Sequence, residues 1–397
     1  MKLTAEERHM LSGKHGKAVK KSMEILTTLG EIFDAECMVD VSSVQIAGVS
    51  YANLGEAGLE FLSEMAEDGK IRVLTTLNPA GMDRENWQTL GINEEFAKNQ
   101  VRVIDAFAKM GVITTCSCTP YFIGNVPHFG QHIAWAESSA VCYANSVIGA
   151  RTNREGGPSA LASALTGKTP NYGYHLDENR HGQVSIKVNA QVKGTDEYGA
   201  LGKTIGDRLI KLGKNTPFIT GIPSATVEEL KSFCASIATY GGTALFHMEG
   251  ITPESDRYPK PNGNVIEIDE EDLEKARFEL IDNGLEVDFV SIGCPHASIN
   301  EIEKIASLLK GKKVKKEFWI TTARPIKRIA DEAGYSKIIE DAGAKFAADT
   351  CCVVAPIRGR FKGMMVDSAK ACYYGRATNK FKVKIGTIEE CVEEATR

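Results

Sequence analysis

The chain lacks long apolar runs. No stretch of its 397 residues approaches the ~18 consecutive apolar residues of a membrane-spanning helix. The N-terminal MKLTAEERHMLSGKHG is polar and mixed in charge, without the apolar centre of a signal peptide. Blocks of like charge are also missing, and 47 Lys+Arg stand against 52 Asp+Glu. Nothing in that balance suggests nucleic acid or a polybasic membrane contact. Paired CxxC knuckles are absent, which disfavours a zinc ribbon. The expectation is a cytoplasmic protein that binds no nucleic acid and no membrane. The ten cysteines are not densely spaced and no secretory signal accompanies them, so reduced thiols are expected. Cys37, Cys142, Cys234 and Cys391 lie in apolar or helical patterns and read as inert buried thiols.

What is present is a βα rhythm. Short apolar segments such as CMVDVSSVQIAG, IRVLTTLN, VITTCSC, VDFVSIGCP, KEFWITTAR and KFAADTCCVV alternate with amphipathic helical patterns such as NEEFAKNQVRVIDAFAKMG and INEIEKIASLLKG. This predicts an α/β fold of several domains with mostly parallel sheets. The stretch 151–215 opens with a Gly-, Asn- and Thr-rich segment that reads as a long loop with a short helix. It suggests divisions at 1–150, 151–290 and 291–397.

Ligands of open α/β sheets gather at the carboxyl ends of strands. Several such ends carry unusual side chains: Asn78 and Asp83; Cys116, Cys118 and Tyr121; His247 and Glu249; Cys294, His296 and Ser298; Asp349, Cys351 and Cys352. A proline follows each thiol group and stops its strand. Three widely spaced thiol positions suit an iron–sulfur cluster that keeps one iron open to substrate. Chance placement of buried cysteines at strand ends is the alternative.

The segments ERHMLSGKHGKA, TTLNPAGMD, TCSCTPYF, ESSAVCYANSVIGARTNREGGPSALASALTGKTP, GCPHAS and DTCCVVAP together resemble the aconitase X family over nearly the whole chain. The resemblance implies an aconitase-like fold, with three-layer α/β domains around a central cleft. It implies a hydro-lyase in which a [4Fe–4S] cluster acts as Lewis acid. That cluster would also be met as [3Fe–4S], or lost in air. The archaeal branch dehydrates (R)-5-phosphomevalonate in a modified mevalonate route to isoprenoids; other members act on cis-3-hydroxy-L-proline. A non-catalytic iron–sulfur scaffold is the reading from another class. The family's swivelling domain is not found in this chain, so a separate small subunit is expected as partner, carrying the catalytic base.

By the same resemblance the cluster ligands are Cys118, Cys294 and Cys351, with Cys116 and Cys352 as second choices. Gln45 departs from the histidine of many members, which fits the archaeal branch. Substrate-binding candidates are Asn78, Ser138, Asn145, Arg151, Asn153, Arg154, His247 and Glu249. Arginine forks suit the carboxylate and phosphate of a small phosphorylated substrate. Each candidate also has an ordinary explanation: a salt-bridged surface loop for the arginines, a satisfied buried loop for the amides, a structural hydrogen bond for the histidine, turn chemistry for Asn78.

Overall fold

In the computed structural model, which describes residues 1–397, the first sheet grows around a strand buried along its whole length. Strand β1 (Met38–Asp40) precedes it; β2 (Ser43–Ile46) is that central strand. β3 (Leu74–Leu77) and β4 (Ala134–Trp135) flank β2, both parallel to it. Parallel strands need helical crossovers, and those helices cover both faces, which explains why SVQI has no exposed position. Leu59, Leu62 and Met65 of helix Tyr51–Met65, Val103 and Phe107 of helix Glu94–Lys109, and Leu161 and Leu165 of helix Gly157–Thr166 share one core with Val44, Ile46 and Leu77. β5 (Lys168–Pro170) returns to pair antiparallel with β1. The first unit therefore runs past residue 150, because the helix after it buries its apolar side in the first core. VITTCSC, expected as a strand, forms only the bridge Ile113↔Thr76. Beyond it Cys116 takes φ +47°, which breaks the extended backbone.

The second unit holds β6 (Val184–Val188), β7 (Pro217–Thr220), β8 (His247–Met248) and β9 (Val265–Ile268), all parallel in the order β8-β7-β6-β9. Its helices Gly194–Leu212 and Val227–Gly241 pack closely. Gly206 permits this: a Cβ there would lie 2.7 Å from the backbone nitrogen of Gly241. The third unit holds β10 (Phe289–Ile292), β11 (Glu317–Thr322), β12 (Lys345–Ala348), β13 (Gly363–Val366) and β14 (Lys382–Ile385). They are parallel, in the order β12-β11-β10-β13-β14. No helix is long and apolar enough to cross a membrane.

One topological rule repeats. In each of the three parallel sheets an early strand is central, the next strand lies on one side, and a later strand returns on the other: β2 between β3 and β4, β6 between β7 and β9, β10 between β11 and β13. Such reversals open a crevice at the carboxyl ends of the strands. The first and third units are joined by a buried ion network. Arg324 contacts Asp83 at 2.5 Å and Asp349 at 2.7 Å, and Arg84 reaches Asp349 at 3.2 Å. Asp83 also caps its own turn through the N–H groups of Glu85 and Asn86, each at 2.8 Å.

Candidate active site

The loops that carry Cys118, Cys294 and Cys351, from the first and third units, are joined at His296. Cys118 follows the loop that hangs from β3, held by the Ser117 N–H to Leu77 carbonyl bond of 2.8 Å. Cys294 follows β10 at the switch point of the third sheet, and Cys351 follows β12. The Cys294 thiol feels the charge of Cys351 and of Cys118, and the Cys351 thiol feels that of Cys118. Cys118, Cys294 and Cys351 keep 7%, 9% and 5% of their surface exposed, whereas Cys116 and Cys352 keep 0% and 1%. Cys116 packs in the first core beside Asp349 and Arg84; Cys352 packs in a core of the third unit that also holds Cys294. Burial pushes the Cys118 thiol up to about 11 and those of Cys294 and Cys351 well above the usual range. No three His, Cys, Asp or Glu side chains are spaced to share a single metal ion.

His296 ties the three thiol loops together. Its backbone N–H donates to the Cys118 sulfur at 3.2 Å. Its Nε2 lies 3.0 Å from the Thr350 carbonyl, which can only accept, so Nε2 carries the proton. Nδ1 then accepts from the Ser117 hydroxyl at 3.2 Å. Burial lowers this imidazole to about 4, which keeps it neutral, and its two hydrogen bonds fix the tautomer. Beneath the first loop, Gln45 donates from Nε2 to the Ser117 carbonyl at 3.0 Å, while its Oε1 is buried without a partner. Cys116 and Asp349, with φ of +47° and +66°, hold the left-handed conformation on either side.

A buried ion pair spans the same cleft. Glu137 follows β4 at the first switch point and caps helix Ser138–Tyr143 through the Ala140 N–H at 2.7 Å. Lys370 follows β13 at the third switch point and bonds the Glu137 carboxylate. The Ser139 hydroxyl donates to the same carboxylate at 2.5 Å. The Lys370 ammonium pulls the Cys118 and Cys294 thiols down against the effect of burial. Lys370 was not foreseen from the sequence. MMVDSAKACYYG reads as a strand and a helix start, and a lysine in a first helical turn looks solvated. The only signal is its place just beyond a strand end.

The other candidates are dispersed. Asn78 stands at the end of β3, its Oδ1 buried and unpartnered. Ser138 is half-buried beside Glu137. Asn145 spends its amide within the chain: Nδ2 donates to the carbonyls of Thr152 and Ala244, both at 2.9 Å, and Oδ1 accepts from the Thr152 N–H at 3.0 Å. Asn153 likewise clamps the turn at Tyr172 and Tyr174. Arg151 is buried and binds Asp177 and the His175 carbonyl. Arg154 is exposed on the loop before helix Gly157–Thr166. Gly157 brings that helix start against β2, where an added Cβ would lie 2.8 Å from the Ala47 carbonyl oxygen. His247 is fully buried, bonded through Nε2 to the Arg180 carbonyl at 2.7 Å. Glu249 is exposed and pairs with Lys260.

The surroundings of Arg151 carry a pH prediction. His175 is buried, bonded Nδ1 to Nδ1 with His132 at 2.9 Å, and burial lowers it to about 3. An unfolded chain takes up that proton near pH 6.5, and the folded one does not until far lower. Stability therefore falls as pH drops below 6.5. Between pH 7 and pH 5 His175 should account for about 2 kcal/mol of the lost stability, read by urea unfolding as the difference between the unaltered chain and His175→Gln. An unchanged slope in that variant would assign the loss elsewhere.

The fold is shared with known proteins. Family models described as the aconitase X first, second and third domains match residues 1–178, 182–278 and 287–397. The chain is 46% identical to the phosphomevalonate dehydratase large subunit of Methanocaldococcus jannaschii, covering 99% of this chain and 100% of that one. It is 31% identical to the cis-3-hydroxy-L-proline dehydratase of Hypocrea jecorina, covering 100% of this chain and 68% of the relative. The crystal structure of Thermococcus kodakaraensis aconitase X in its holo form superposes with a TM-score of 0.92 at 43% identity, covering both chains fully.

Proposed function

Because the chain belongs to the aconitase X family, we propose that it is the large subunit of a hydro-lyase that dehydrates (R)-5-phosphomevalonate. The product is trans-anhydromevalonate 5-phosphate, a step of the archaeal route to isoprenoids. The observation that carries this is the full-length similarity to a named large subunit at 46% identity, against 31% for the hydroxyproline enzyme.

Cys118, Cys294 and Cys351 would hold a [4Fe–4S] cluster. Support comes from their donor chemistry, from the His296 turn that joins their loops, and from their residual exposure. When bound through three thiolates, such a cluster supplies an open, Lewis-acidic iron for a hydroxyl and a carboxylate. The rest falls to the chain. Lys370 favours the thiolate forms of Cys118 and Cys294 and places a fixed cation at the cleft. Glu137 and Ser139 hold that ammonium in position. Asn78 offers an unpartnered carbonyl oxygen at the end of β3. The base that takes the α-proton is assigned to the small swivelling subunit.

Arg154 is the arginine of its loop left for the substrate's phosphate, since Arg151 is held by Asp177. Arg154→Ala should raise KM about tenfold with kcat little changed, the effect of losing one partly exposed charge contact. Arg151→Ala should instead lower the urea midpoint. An unchanged KM in Arg154→Ala would move the phosphate site elsewhere.

The function itself is tested by anaerobic co-expression with the small subunit, cluster reconstitution, and assay on 5-phosphomevalonate and cis-3-hydroxy-L-proline. Turnover of the first alone is expected. Turnover of hydroxyproline, or none by a cluster-loaded complex, would overturn the assignment.

A further inference from the structure

The middle unit supplies none of the three thiols, yet one of its side chains enters their support. In helix Val227–Gly241 the inward stripe runs through Leu230, Cys234, Ile237 and Ala238, and Lys231 sits on it. A lysine on an apolar stripe ordinarily reaches out to water. This one does not: its side chain is 3% exposed. Its Nζ donates to the His296 carbonyl at 3.1 Å and pairs with Glu301 Oε2.

Glu301 is itself fixed. It belongs to the capping box of helix Ile299–Leu309, its Oε2 accepting the Ser298 N–H at 2.8 Å and the Ser298 hydroxyl accepting the Glu301 N–H at 3.2 Å. Asp367 lies near this pair and accepts the Gly293 N–H at 3.2 Å. The turn from Gly293 to Ser298 is thus held at its start by Asp367, at its end by the capping box, and at its middle by Lys231. Cys294 and His296 both lie inside it. Gly293 takes φ +102°, and a side chain there would run into Thr321, so the turn has no slack on its other side.

We propose that Lys231 is a positioning residue: the middle unit uses it to set the Cys294–His296 turn, and through that turn the register of the three thiols. The idea rests on the cluster assignment above. Its electrostatic and positional parts can be separated. Removing the ammonium alone leaves Glu301 buried near Asp367 without a cation, which destabilises whatever the role of the turn. Neutralising Glu301 at the same time removes that penalty but leaves the His296 carbonyl without its donor.

The test compares Lys231→Met, Lys231→Met/Glu301→Gln and Lys231→Arg with the unaltered chain, each co-expressed anaerobically with the small subunit. Three quantities are read: the urea midpoint, the rate of cluster loss in air from visible absorbance, and amide exchange of residues 293–298 before cluster loading. The single variant should be destabilised. The double variant should regain most of its midpoint, yet lose the cluster about tenfold faster and exchange the turn amides about tenfold faster. Lys231→Arg should restore all three at least in part. A double variant with unaltered cluster retention and exchange would reduce Lys231 to a counter-charge for Glu301 and overturn the proposal. Failure of the unaltered complex to take up any cluster would instead sink the cluster assignment, while the exchange measurement would still judge Lys231.

Discussion

Serine at Cys118, Cys294 or Cys351 should each abolish cluster retention and lower turnover by on the order of a thousandfold, while Cys116→Ser and Cys352→Ser keep both. The contrast follows from exposure. The first three thiols keep 7%, 9% and 5% of their surface exposed, against 0% and 1% for Cys116 and Cys352. Losing the Lewis acid removes several kcal/mol of transition-state stabilisation, and each 1.4 kcal/mol is a factor of ten. Iron content per chain and kcat are the measurements. If Cys116→Ser or Cys352→Ser lost the cluster while one of the trio kept it, the ligand set would have to be redrawn. The two serine controls touch packed cores, so their urea midpoints should accompany the iron analysis.

Lys370→Met should cost about 3–5 kcal/mol of stability and remove most activity. The stability term arises because Glu137 would remain buried without its ammonium, and breaking a buried pair from one side leaves an uncompensated charge. Ser139 and the Ala140 N–H still bind the carboxylate, which keeps the loss from being larger. Glu137→Gln combined with Lys370→Met should recover most of the midpoint without recovering turnover, because the cleft then lacks its cation. Equal recovery of both would make the pair a structural strut between the two sheets.

The fold was legible because its signals are local. Alternating apolar runs and helical periodicities lie within windows of ten to twenty residues, and the parallel sheets follow from them. The boundary near 150 shifted because the polar segment after Arg151 looks like a linker, while the helix beyond it buries Leu161 and Leu165 in the first core. Cys294 and Cys351 were legible as following strands; Cys118 was not, since the segment before it forms only a bridge. Which neighbour faces the cleft was not, since Cys351 and Cys352 differ by one residue and by the course of the backbone between them. Arg151, Asn145 and Asn153 looked like ligand groups because their chemistry suits anions. Their partners Asp177, Thr152 and Tyr172 are chosen by three-dimensional packing. Lys370 and Lys231 were missed for the mirror reason. Each is an ordinary lysine until a carboxylate from another segment, Glu137 or Glu301, closes on it.

The contacts that bring the three thiol loops together also constrain when the site can come into being. Ser117 and His296 are 179 residues apart along the chain, and Glu137 and Lys370 are 233 apart. Contacts of such separation form after the local ones, because the intervening chain must be closed into a loop first. Cys118 leaves the ribosome long before Cys351, and neither has its neighbours until the third sheet has docked. A nascent chain therefore passes through a long interval with thiols exposed singly, open to oxidation or to adventitious metal. Conditions that slow docking of the third unit should lower the yield of competent protein even when every unit folds.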